Sequence, residues 1–191
     1  SIFEGTILAN VIDGEEQVAK RPAGVTDGYR LTQTTVPLAG TLALGQYTRY
    51  GLAGAYTTDV TFGNVAPVSR NLGVTTALPA DRTNTAWFDA PTLNSFGLGG
   101  VNIDSANKIA VNAPLQFAPG AQVKLIAPTV DIAAGITARS GSVTVSNMLT
   151  TSTGTIALTN AAGGATLTLE AGATIDTRGL WVNAQSDPTS V

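Results

Sequence analysis

Neither cysteine nor histidine occurs in this chain. The first absence excludes disulfides, thiol catalysis and thiolate metal sites, and leaves an oxidising compartment permitted without being required. The second removes the commonest general base and metal ligand, so serine–histidine and cysteine–histidine catalysis are both impossible. Charge is scarce as well: 12% of residues are charged, the net charge is −3, and no basic run exceeds Lys20-Arg21. Without a phosphate-neutralising stripe, nucleic acid is not an expected partner. Nor is there a run of about 18 apolar residues, so no membrane insertion by a helix is expected. Lys20, Lys108 and Lys124 are the only lysines, and acyl transfer by a serine–lysine pair is not expected either. No Asn-x-Ser/Thr acceptor for glycosylation is present.

What remains is 43% hydrophobic residues, mostly small or branched and interleaved with Thr, Asn, Ser and Gly, in 191 residues. That mixture favours short strands joined by tight turns. From Gly99 onward, apolar–x–apolar triplets recur: Val101-Asn-Ile103, Ile109-Ala-Val111, Val123-Lys-Leu125, Val130-Asp-Ile132, Val143-Thr-Val145, Ile156-Ala-Leu158 and Leu167-Thr-Leu169. Val101 to Val123, Val123 to Val143 and Val143 to Leu167 are 22, 20 and 24 residues apart. A repeat of that length built from short strands is the signature of a solenoid, whose coils bury their apolar edges only against neighbouring coils. The expected fold is therefore all-β: a right-handed parallel β-helix, with about four coils in residues 99–191. A β-sandwich shares the short strands and frequent turns.

Within this reading Val143 and Val145 point inward and Thr144 outward. The phrase GSVTVSN, residues 141–147, is echoed by GTIALTN, residues 154–160, which puts Asn147 and Asn160 at coil corners. Residues 1–98 hold most of the charge and most of the aromatics, and read as coils interrupted by a strand-and-loop insertion. Residues 79–95 read as a polar connecting loop whose Trp87-Phe88 pair tucks against the solenoid.

Few constellations carry chemistry. Asp13, Glu15 and Glu16 lack the alternating oxygen ligands of a calcium loop and read as a solvated turn. FGLGGVN, residues 96–102, fails the dinucleotide fingerprint at Asn102, and no helix pattern follows it. Asp104, Asp131 and Asp176, with Lys108, Lys124, Arg139 and Arg178, form the set from which a polysaccharide-cleaving face would be assembled, but their spacings fit no single repeat. Tyr47, Tyr50 and Tyr56, in GQYTRYGLAGAY, and Trp87 are the candidate ligand surface, with core or edge packing as the alternative role of the tyrosines. Trp181 reads as a filler of the terminal coil.

The stretches FGLGGVNIDSANKIAVNAPLQFAPGAQVKLIAPTVDIAAGITARSGSVTVSN and LTLEAGATIDTRGLWVN resemble the β-helical shaft of filamentous haemagglutinin-type exoproteins, the adhesins exported by two-partner secretion. In that family an "FG-x-G-x-V-x-I" phrase opens a run of coils; LIAPTVDI, residues 125–132, and GATIDTRGLWV, residues 172–182, are similar to phrases that close later ones. The likeness covers residues 96–183 well and 30–60 loosely. It implies a secreted, cysteine-poor, calcium-independent segment of a bacterial surface adhesin, without enzymatic activity or cofactor. It also implies a host-cell or matrix glycan or protein receptor, and an outer-membrane transporter partner for the parent protein. The family's Asn-Pro-Asn secretion motifs are not in this chain, and the opening SIFEG carries neither initiator Met nor leader, so an internal piece of a longer exoprotein is expected. A polysaccharide lyase or hydrolase on the same scaffold is the alternative.

Overall fold

The computed structural model describes residues 2–11, 39–47, 55, 57–68, 73–151 and 154–179. The chain is mostly β, with little helix, and its strands form parallel sheets. Seven strands follow in close succession: β5 (Gly100–Asp104), β6 (Lys108–Val111), β7 (Leu115–Gln116), β8 (Gln122–Ile126), β9 (Thr129–Ile132), β10 (Ile136–Thr137) and β11 (Ser142–Ser146). The first four of them, β5 to β8, each pair in parallel with the strand three positions later, placing Val101 beside Val123, Val123 beside Val143, Ile109 beside Val130 and Leu115 beside Ile136. The first two pairings repeat the 22- and 20-residue intervals read from the sequence.

Alternation decides what faces inward. Val101, Ile103, Val123, Leu125, Ile109, Val111, Val130, Ile132, Leu115 and Ile136 form one buried cluster. Between them Asn102, Lys124, Ala110 and Asp131 occupy the opposite parity. Val143 and Val145 are half-buried against this cluster while Thr144 is exposed, as the alternation predicts; β11 is an edge strand, which is why its valines are covered on one side only.

The sequence periodicity misplaces the next step. Leu167, in β14 (Thr166–Leu169), lies beside Val130 and not beside Val143, and Ile175, in β15 (Ile175–Asp176), lies beside Ile136. The interposed residues form an antiparallel hairpin of β12 (Met148–Thr151) and β13 (Gly154–Ala157), in which Leu149 faces Ile156. GTIALTN is thus no second coil stacked on GSVTVSN. Leu158, just beyond β13, is buried with Tyr47 and Ile126 in a small separate cluster that Leu149 also touches. Asn160 does mark a turn: its side-chain oxygen accepts from the N–H groups of Ala162 and Gly164, a local cap that needs no stacked asparagine.

In the amino-terminal half, β2 (Thr41–Leu44) pairs with β5, and β3 (Asp59–Gly63) pairs with β6. The expected polar loop at 79–95 is instead largely regular. TAWFD alternates and forms β4 (Thr85–Asp89), parallel to β3, and β1 (Ile2–Phe3) pairs with β4 on its other side. Phe88 is buried, 5.3 Å from Phe62 and 4.9 Å from Phe3 between ring centres. Asp89 then caps α1 (Ala90–Ser95) by accepting from the Thr92 N–H at 3.0 Å, and Pro91 sits in the first turn. Burial raises the Asp89 pKa, but the bonds from Thr92 and from the Val65 N–H outweigh it and hold the carboxyl below the usual range.

This helix closes one sheet edge. The Asn94 amide donates to the Pro114 carbonyl at 3.0 Å and accepts from the Gln116 N–H at 2.8 Å, so one side chain does for β7 what a neighbouring strand would. Asn94→Ala is expected to cost about 1 kcal/mol and lower Tm by a few degrees; calorimetry against Asn94→Gln checks it. At the opposite end, Leu167, Leu169 and Ile175 are 45%, 55% and 39% exposed although they occupy the same rows as buried Val130, Ile132 and Ile136.

Candidate functional site

The alternation that buries Ala86 and Phe88 turns Trp87 to the outer face of the six-stranded sheet, ordered β1-β4-β3-β6-β9-β14. Its ring is fixed from three sides. The indole N–H donates to the Asp81 carbonyl at 2.6 Å, and the Arg82 guanidinium carbon lies 5.3 Å from the ring centre. A Cβ added to Gly63 would stand 3.3 Å from the ring, so glycine is what lets the indole lie down on the neighbouring strand. Arg82 is itself buried and donates to the Ala66 carbonyl at 3.2 Å. Such a guanidinium–indole contact contributes on the order of 1 kcal/mol and, here, holds a half-buried aromatic flat.

Register extends this face in a row: Trp87 beside Thr61, Thr61 beside Ala110, Ala110 beside Asp131, Asp131 beside Thr168. Thr61 and Ala110 are low and covered, at 8% and 6% exposed, between the larger Trp87 and Asp131. Lys108 pairs with Asp131 at 3.7 Å.

Tyr47 belongs elsewhere. It is buried with Ile126 and Leu158, its hydroxyl donates to the Ser105 carbonyl at 2.6 Å, and its N–H donates to buried Asp104 at 2.9 Å. Its ring therefore packs and anchors. Tyr50 and Tyr56 lie outside the described residues, as do Asp13, Glu15, Glu16 and Trp181. Burial, and secondarily the Asp104 carboxylate, pushes the Tyr47 phenol up to about 12. Because the folded state favours the neutral phenol, this stabilisation is complete below the unfolded pKa near 10 and is lost as pH rises through about 12. Tyr47→Phe is expected to lose about 1 kcal/mol at neutral pH with the hydroxyl bond, and to show a shallower fall in stability between pH 10 and 12 than the parent in urea titrations.

The seven charged residues that a polysaccharide-cleaving face would need do not converge. Asp104 pairs with Lys124 at 3.7 Å in the four-stranded sheet (β11-β8-β5-β2), and Asp131 pairs with Lys108 in the six-stranded sheet. Asp176 pairs with Arg178 at 2.8 Å and Arg139 at 3.7 Å in the three-stranded sheet (β15-β10-β7). The Arg178 side chain holds the Asp176 carboxyl far below the usual carboxylate range. The glycines of FGLGGVN lead into strand β5 and not into a helix, so no phosphate cradle forms there. Gly97 adopts φ +63°, and a Cβ on it would meet the Asn10 Cβ at 2.7 Å.

Sequence reasoning singled out Trp87 but missed the residues that position it. Arg82 and Gly63 carry no spacing signal of their own; Thr61 and Ala110 were readable as outward positions from the parity of DVTFG and KIAV. Among the described residues no group of three or more acids could hold a metal ion, and no helix is long and apolar enough to cross a membrane. No family model matches the chain, and no match to it is found among curated proteins or solved structures.

Proposed function

We propose that the chain is a right-handed parallel β-helix and a structural and binding segment of a large secreted adhesin at a bacterial surface, exported through an outer-membrane transporter. The observation that carries the reading is the in-register parallel pairing of three successive sheets at intervals of 20 to 22 residues, with apolar rows buried between them. Parallel strands joined by crossovers of this kind are right-handed in nearly every case. Such a stack gives a stiff, charge-poor support with outward faces free to vary. The likeness of residues 96–183 to the shafts of filamentous haemagglutinin-type exoproteins supports the adhesin role.

Enzymatic polysaccharide cleavage is the competing reading, and the separation of Asp104, Asp131 and Asp176 into three sheets, each with a basic partner, weighs against it. Retention of the purified chain on host glycans and extracellular-matrix proteins, with the same wells read for ultraviolet-absorbing unsaturated sugars, tests both. The expected result is retention without product. Product formation overturns the adhesin in favour of a lyase, and no retention on any surface overturns the binding role.

A further inference from the structure

We propose that the outer face of the six-stranded sheet between Trp87 and the Lys108–Asp131 pair is a docking groove for a neutral oligosaccharide; the inference rests on the adhesin reading and deepens it. The floor is made of small side chains on adjacent strands, Thr61 of β3 and Ala110 of β6. One wall is Trp87, whose ring lies against Gly63 and 5.3 Å from the Arg82 guanidinium carbon, with its indole N–H already committed to the Asp81 carbonyl. What the ring offers a ligand is therefore its apolar face and not its donor. The other wall is Asp131 with Lys108, whose side chains are 30% and 43% exposed. From Trp87 to Asp131 the groove crosses three strand spacings, about 14 Å.

Three features select the ligand. First, β4, β3, β6 and β9 are all interior to their sheet, with backbone groups bonded on both sides, so an extended peptide has no edge here on which to add a strand. The ligand is read by side chains alone. Second, the charged wall sums to zero, with the ammonium and the carboxylate 3.7 Å apart. Neither a sulfated nor a sialylated chain gains a net countercharge, whereas the hydroxyls of a neutral sugar can both donate to the carboxylate and accept from the ammonium. Third, a flat indole face beside hydroxyl and charged hydrogen-bonding groups matches a sugar ring, which has an apolar C–H face and a polar rim.

The test immobilises cello-, chito-, galacto- and manno-oligosaccharides beside sulfated glycans, sialylated glycans and matrix proteins. It compares retention of the parent chain, Trp87→Ala, Trp87→Tyr, and the double variant Lys108→Gln with Asp131→Asn. The expected result is retention on at least one neutral series. Trp87→Ala weakens it about tenfold, Trp87→Tyr largely restores it, and the double variant weakens it several-fold, with Tm close to the parent's. If Trp87→Ala does not fold, the tyrosine and double variants decide. Neutral-sugar retention unchanged by these variants overturns the groove. Retention confined to acidic glycans or proteins also overturns it while leaving the adhesin standing, and no retention on any surface sinks both.

Discussion

Val123→Asp unfolds the chain at room temperature. Val123 is 2% exposed and sits in the middle of a row, paired with Val101 on one side and Val143 on the other, so both neighbours seal it from water. A carboxylate there has no basic partner within the apolar rows: Lys124, next in sequence, points to the opposite face and is already paired with Asp104. An uncompensated charge in such a place costs about 3–5 kcal/mol, and the lost valine packing adds to it. That sum takes most of the 5–15 kcal/mol available to an ordinary domain. Loss of the cooperative thermal transition is the expected readout, with Thr144→Asp, on the exposed face of β11, as the control that leaves Tm within a few degrees. A Val123→Asp protein that melts like its parent would mean that the row is not interior.

Gly141→Ala is the second large effect, and it acts through the backbone. A Cβ on Gly141 would stand 2.0 Å from the carbonyl oxygen of Ala121, far inside contact distance, and the opposing atom belongs to the main chain of the preceding level. The Ser142 N–H donates to that same carbonyl at 2.9 Å, so relieving the clash means breaking the first bond of the β8–β11 ladder. The cost is about 3 kcal/mol, at the upper end of what overpacking does. Gly5→Ala, with open space around its Cβ, serves as the reference and is expected to change Tm by no more than a degree or two. Equal melting of the two variants would contradict the close approach of the two levels at this corner.

The two glycines show why part of this fold is legible in the sequence and part is not. Alternation in VNID, KIAV, QVKLI, TVDI and SVTVS is a local property: period two assigns the faces, and the 22- and 20-residue intervals assign the neighbours. Where the chain kept to its repeat, sequence and structure agree. The repeat breaks after Ser146. Ile156-Ala-Leu158 has the same apolar–x–apolar form as the parallel strands, and Val143 to Leu167 is 24 residues, so nothing local distinguishes a further parallel strand from a hairpin. The difference is made by partners remote in sequence: Leu149 and Leu158 pack with Tyr47 and Ile126, and the chain rejoins the parallel sheet beside Val130. The same holds at Asn94, whose edge-closing role depends on Pro114 and Gln116, and at Trp87, whose outward side was readable while the Arg82 and Gly63 that flatten it were not.

The absence of cysteine supplies the most direct measurement of this arrangement, because any disulfide in the chain is then an introduced one. Asp131 and Thr168 are register neighbours on the outer face, within the Cα separation of about 4.4–6.8 Å that a disulfide spans. Asp131→Cys combined with Thr168→Cys is expected to form an intramolecular disulfide rapidly under mild oxidation of the folded chain. Thr144→Cys combined with Thr168→Cys, the pairing that an uninterrupted 24-residue coil would create, is expected to remain reduced. Crosslinking of the second pair and not the first would contradict the account, because it would place residues 154–160 in the stack and abolish the hairpin.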